Sequence, residues 1–160
     1  MKFSAMPYSR PDLEAMKANL TDCTEAFLAA ESAQEQIAQY DRVTDLSVEF
    51  NTMGSLANAR HTIDTRDEFY DAEETFWNAA TPELDAYEDA WKGTMLESPF
   101  RKEFAAEYGD LMFVNAEIAR KAFSPEIIPE CQQENDLSQA YSKLIASAQI
   151  PFEGGVYTIS

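Results

Sequence analysis

Histidine and cysteine are nearly missing from this 160-residue chain, which has one His and two Cys. The cysteines, Cys23 and Cys131, stand 108 residues apart with no CxxC spacing. That separation argues against a disulfide framework and a zinc knuckle, and fits free thiols in a reducing compartment. Basic residues are also short: Lys and Arg number 12 against 29 Asp and Glu, a net charge of −17. So negative a surface repels phosphate backbones and anionic headgroups, so no nucleic acid and no membrane is expected among its partners. Apolar runs stop after a few residues, as at Phe27 to Ala30, and Met1 to Pro7 lacks the apolar stretch of a signal peptide. A cytoplasmic protein is the expectation. Glycine is scarce too: Gly54, Gly93, Gly109, Gly154 and Gly155 fall at punctuation points or helix interruptions.

What is present is an apolar fraction of 45%, with 12% aromatics, in 18.0 kDa. A chain of this length buries roughly 70% of the surface its unfolded form exposes, enough for one ordinary core. Helical periodicity dominates it. A first segment beginning near Ser9-Arg10-Pro11 carries Leu13, Met16, Leu20, Cys23, Phe27 and Ala30 on one face. A second opens at Ser32-Ala33-Gln34-Glu35, a capping-box pattern, and runs to about Ile63 with Ile37, Tyr40, Val43, Phe50 and Met53 inward. A third begins between Asp64 and Asp67 and keeps Phe69, Ala72, Phe76, Ala80, Leu84, Tyr87, Trp91 and Met95 in phase. Thr81-Pro82-Glu83 reads as an N-cap with a first-turn proline, so a break with register kept is expected there.

Ser98-Pro99 starts a short helix that Gly109 ends, and Asp110 caps another through Phe123 with Met112, Phe113, Ala116, Ile118 and Ala119. Ser124-Pro125-Glu126 starts the last long helix, predicted to turn Ile127, Ile128, Cys131, Leu137, Tyr141, Leu144, Ile145 and Ala148 inward. The period then changes from 3.6 to 2. Gln149 to Phe152 and Val156 to Ile159 flank Glu153-Gly154-Gly155, a hairpin signal with glycines supplying the positive φ. The fold class is therefore mainly α: an antiparallel helical bundle of about five to seven helices ending in a short β-hairpin. Residues 1–147 make the helical domain and 148–160 the hairpin. A lone hairpin is marginal in water, so the chain is expected to be one domain of something larger.

The chemical inventory is thin. His61 is followed by Thr-Ile-Asp-Thr, so there is no His-Glu-x-x-His, and no glycine-rich phosphate loop or calcium loop exists. The cysteines read as small buried apolar residues on helix faces. The densest polar stretch is Arg60 to Asp71, where Arg60 and Asp64, and Arg66 and Tyr70, are spaced to touch on a helix. Its functional reading is a polar strip, Arg60, His61, Asp64, Arg66 and Tyr70, facing a ligand or partner surface. Its plainer reading is a helix corner tied by ion pairs, with His61 packed or capping carbonyls. Metal binding by His61 with Asp64 and Asp67 starts poorly from one imidazole. Residues 64–89 hold ten carboxylates and one base, −9 of the total charge. That run is either a solvated helix face or a field that draws cationic ligands to a neighbouring cleft. The aromatics of the stretch (Phe69, Tyr70, Phe76, Trp77, Tyr87, Trp91) exceed what one apolar stripe needs.

Three stretches carry a resemblance: Met6-Pro7-Tyr8-Ser9-Arg10-Pro11-Asp12; Arg60 to Asp71, RHTIDTRDEFYD; and Ala122 to Ile128 continuing through Glu134-Asn135-Asp136-Leu137 to Ala148-Gln149-Ile150-Pro151-Phe152-Glu153-Gly154. In order and spacing the chain resembles, over its whole length, the N-terminal region of bacterial oligoendopeptidase F enzymes, thimet-oligopeptidase-like zinc metallopeptidases. The resemblance implies a helical, non-catalytic domain walling a deep channel for short peptides. It also implies that the zinc ligands and general base lie in a catalytic domain of the same polypeptide, absent from this chain. No catalytic residue and no metal ligand carries over, no cofactor is expected in this chain, and these 160 residues alone should not cleave peptides. The competing expectation is a stand-alone acidic α-helical interaction module binding a basic or apolar partner.

Overall fold

Asp12 opens the first helix by accepting a hydrogen bond from the Ala15 N–H at 3.0 Å, in a computed structural model that describes residues 5–158. Helix α1 runs Leu13–Ala29 and buries Met16, Leu20, Cys23 and Phe27. Pro11 lies outside it, because the Asp12 carboxylate caps the orphan N–H groups better than a proline can. Helix α2, Ala33–Ile63, opens with the expected capping box: Ser32 accepts from the Glu35 N–H, and Glu35 accepts from the Ser32 N–H. Helix α3, Glu68–Leu96, is capped by Asp67. Three shorter helices follow: α4, Arg101–Tyr108; α5, Leu111–Ala122; and, after a 3-10 turn at Pro125–Ile127, α6, Ile128–Ala146. Strands β1, Ile150–Phe152, and β2, Gly155–Tyr157, pair antiparallel. The fold is mainly α, with six α-helices among the described residues.

Consecutive long helices run antiparallel. Gln36 reaches the Phe27 carbonyl (3.1 Å) and Arg42 reaches Asn19 (3.0 Å), so α1 and α2 pass in opposite directions. Gly54 of α2 lies under Trp77 of α3, where an added Cβ would stand 3.2 Å from the ring. Only glycine admits the indole there without a shift. The core gathers Phe27, Phe50, Trp77, Trp91, Met95, Phe104 and Phe113 between the helices. Gln36 is buried among them. It also accepts from Ser98 Oγ at 2.5 Å, which ties the α3–α4 connection to the start of α2.

Four expectations are corrected. Helix α3 continues unbroken through Pro82. Proline removes the N–H that would bond the Asn78 carbonyl; that carbonyl instead accepts from Asn135 Nδ2 of α6 at 3.2 Å, and the next, Ala79, from Gln132 Nε2 at 3.0 Å. Asn135→Ala is therefore expected to cost about 1 kcal/mol, and clearly less in a Pro82→Ala background, where the helix satisfies Asn78 itself. Denaturant unfolding of the four proteins of this cycle measures it; equal costs in both backgrounds would separate Asn135 from the proline.

The second correction concerns the first half of α3, where the buried stripe lies one residue further on: Glu73 and Trp77 face inward, while Phe69 is exposed. Third, α6 buries none of its apolar residues, and Leu137, Tyr141 and Leu144 face outward, as does Ile118 on α5. The side of α6 that meets α3 is polar. Fourth, the hairpin turn places Glu153 (φ 48°) and Gly154 (φ 82°) in the left-handed region, and Gly155 belongs to β2. Ile159, expected in that hairpin, lies outside the described residues, as do Met1 to Ser4.

Candidate functional site

The chain before α1 is strapped across the first turns of α3. Glu73 is buried there, and its carboxylate accepts from the Tyr8 hydroxyl and from Arg10 through Nη2 (2.7 Å) and Nε (3.0 Å). Trp77 Nε1 donates to the same Tyr8 oxygen at 3.1 Å. Arg10 lies 4.7 Å from the Phe76 ring centroid, and Tyr8 packs edge-on against Phe69 and Tyr70. The Arg10 guanidinium, ahead of the opposing cost of burial, holds the Glu73 carboxyl below its ordinary range. Burial first, and the Glu73 hydrogen bond second, push the Tyr8 phenol up to about 12, so it remains a donor.

Asp71, two residues earlier on the opposite flank of α3, joins a different pair of elements. Its carboxylate accepts from Lys143 Nζ (2.8 and 2.9 Å) and from Gln139 Nε2 (2.9 Å), both on α6. The Lys143 hydrogen bond is the main reason its carboxyl is held low. Asn78 extends the seam by donating to Asp136 and Gln139. The acidic run is thus the axis on which other elements dock. Six of its ten carboxylates meet a base: Asp64–Arg66, Asp71–Lys143, Glu73–Arg10, Glu83–Lys17, Glu88–Lys92 and Asp89–Arg120.

The five candidate residues fall in three places. Arg60 donates to the Tyr70 hydroxyl (2.7 Å) and to the Met6 carbonyl (2.5 Å), so both serve the strap. His61 is 2% exposed, with Nε2 3.3 Å from Asp71 Oδ1 but outside hydrogen-bond geometry. Asp64 and Arg66 pair with each other across the exposed α2–α3 corner, at 2.8 Å. The pairings suggested by spacing, Arg60 with Asp64 and Arg66 with Tyr70, do not form, because α2 ends at Ile63 and the two flank different elements. Asp64 and Arg66 line a cleft of about 450 Å³ with Thr62, Thr65, Ser147 and Gln149.

Tyr8, Glu73, Trp77 and Gln139 are what the sequence reading missed. One signal was available: Glu73 stands four residues before Trp77 and seven before Ala80, a charge in an apolar register.

Architecture and network together define a helical domain: a long acidic axis on which α1, α2, α5 and α6 dock, with no group of three side chains able to hold a metal among the described residues. The chain belongs to the M3 peptidases, matching the Peptidase M3 N-terminal domain over residues 3–123. It is similar to PZ peptidase A solved with an inhibitor, at 37% identity and TM-score 0.94 over 98% of this chain and 28% of that one. It is similar also to a structure described as oligoendopeptidase F from Bacillus anthracis str. Ames, at 36% identity and TM-score 0.94 over 99% of this chain and 29% of that one. Another chain described as oligoendopeptidase F matches at 38% identity and TM-score 0.94, with 99% and 28% covered. The chain thus spans less than a third of the length of the structures it matches. No curated protein sequence matches it. The three stretches that carry the resemblance converge: the first straps onto the second through Arg60 and Tyr70, and the third grips it through Asp71.

Peptidases of this family are zinc-dependent, and zinc takes imidazole, thiolate and carboxylate donors in close tetrahedral array. The residues here do not fit. The sole imidazole is buried beside one carboxylate already held by Lys143 and Gln139, and no cluster of three donors occurs among the described residues.

Proposed function

We propose that this chain is the N-terminal, non-catalytic domain of an oligoendopeptidase F-type zinc metalloendopeptidase, and that it forms one wall of a channel admitting short peptides. The observation that carries this reading is the match of nearly the whole chain, at 36–38% identity, to less than a third of each peptidase chain. In this reading the catalytic domain of the same polypeptide supplies zinc, its ligands and the general base. The hairpin at 148–160 leads from the helical domain at 1–147 toward it. Asp64 and Arg66, which border the corner cleft, are the candidates for contact with substrate or with that domain. Arg60, His61 and Tyr70 hold the wall's inner geometry. A cytoplasmic location suits the free thiols of Cys23 and Cys131. No helix among the described residues is long and apolar enough to cross a membrane.

The purified 160-residue chain, given zinc and an internally quenched peptide, is expected to show no turnover above the peptide alone. Hydrolysis that a chelator abolishes would place catalytic groups in this chain and overturn the reading.

A further inference from the structure

Helix α6 is amphipathic in reverse. Gln132, Asn135, Gln139 and Lys143 recur at three- or four-residue steps along one side, and each hydrogen-bonds to α3. On the opposite side Leu137, Tyr141 and Leu144 repeat at the same helical spacing and are 63%, 65% and 66% exposed. A helix that only had to cover α3 would turn this stripe toward the core, where each Leu side chain gains by leaving water. The hairpin that follows continues the pattern: Ile150, Phe152, Val156 and Tyr157 are all exposed on a two-stranded sheet, a unit that is marginal without cover.

We propose that the outer stripe of α6, with the hairpin that follows it in the chain, is the surface on which the rest of the peptidase polypeptide packs. This rests on the reading of the chain as an N-terminal domain. Two observations choose that occupant. The matched structures are more than three times as long as the segment this chain covers, so the fold is accompanied there by a large further body of protein. A second copy of this chain would bring its own −17 against the first, and like charge of that size opposes self-association.

Hydroxyl-radical footprinting tests it on two samples, the purified 160-residue chain and the polypeptide isolated from cells with an antibody to this domain. Leu28, 68% exposed on α1, is the internal control. The expected result is at least tenfold protection of Leu137, Tyr141 and Leu144 in the cellular polypeptide relative to the purified chain, with Leu28 equally reactive in both. Unprotected stripe residues in a long cellular polypeptide would overturn the inference and leave the N-terminal-domain reading standing. A cellular species of only 18.0 kDa would remove that reading and the inference with it. Protection in the purified chain that grows with its concentration would assign the face to a second copy and overturn the proposed occupant.

Discussion

Phe104→Ala is expected to lower the unfolding free energy by about 3–5 kcal/mol, the range for truncating a buried phenylalanine. Its ring is completely buried and meets Phe27 of α1, Tyr40 of α2 and Phe113 of α5, with centroids 5.9–6.3 Å apart. Helix α4 has eight residues, too few to be helical alone, and Phe104 is the one residue it buries. Removing the ring leaves a cavity where four helices meet and frees α4 from the core. Tyr108, which donates to Asp41 at 2.5 Å, would lose its support as well. Tyr108→Phe keeps the ring and deletes only that exposed hydrogen bond, so it should cost about 1 kcal/mol or less. Guanidinium unfolding followed by circular dichroism compares the two. A loss below about 1 kcal/mol for Phe104→Ala would mean that α4 is not part of the cooperative core.

Glu73→Ala comes second, with an expected cost of about 2–3 kcal/mol. Breaking a wholly buried ion pair costs about 3–5 kcal/mol. Here the Arg10 side chain is 47% exposed and can recover water, so the cost is discounted. What remains is an unsatisfied Tyr8–Trp77 pair and a strap with no anchor on α3. The same residue sets a pH dependence. Glu73 and Asp71 both have folded pKa values below their unfolded ones, about 4.3 and 3.9. Their contribution is therefore fully present above those unfolded values and is lost as pH falls through the lower folded ones. The chain should lose stability progressively below about pH 4–5, and Glu73→Gln should flatten that slope. Thermal unfolding from pH 3 to pH 7 reads both effects. An unchanged acid slope in Glu73→Gln would contradict the anchoring of the strap on Glu73.

Local signals in the sequence were enough at several places where the structure closes on near neighbours, though Asp110, expected to cap α5, makes no side-chain cap hydrogen bond. The Ser32–Glu35 capping box and the end of α4 at Gly109 depend on residues within four positions, and both form; the hairpin forms as well, with its turn on Glu153 and Gly154. What could not be read locally was repaired from a distance. Pro82 interrupts one helical hydrogen bond, but its orphaned carbonyl finds Asn135, 57 residues away. Glu73 counted as one more carboxylate in an acidic run until Arg10, 63 residues earlier, was placed against it. In the case of α6 the period was right and the direction reversed, since its polar side docks on a polar stripe of α3. Among the candidate site residues, the cluster Arg60 to Tyr70 was legible as a corner. Its partners were legible only in part: Asp71 lies in the same stretch, whereas Met6 approaches from a distant segment.

The central claim is that this fold serves as the N-terminal part of a longer peptidase. The intact mass of the native polypeptide tests it most directly, measured after capture with an antibody to this domain. The account predicts a species roughly three to four times the 18.0 kDa of this chain, as the 28–29% coverage of its structural relatives implies, with chelator-sensitive peptidase activity. A native species of 18.0 kDa, free of peptidase activity and of any associated chain, would contradict it.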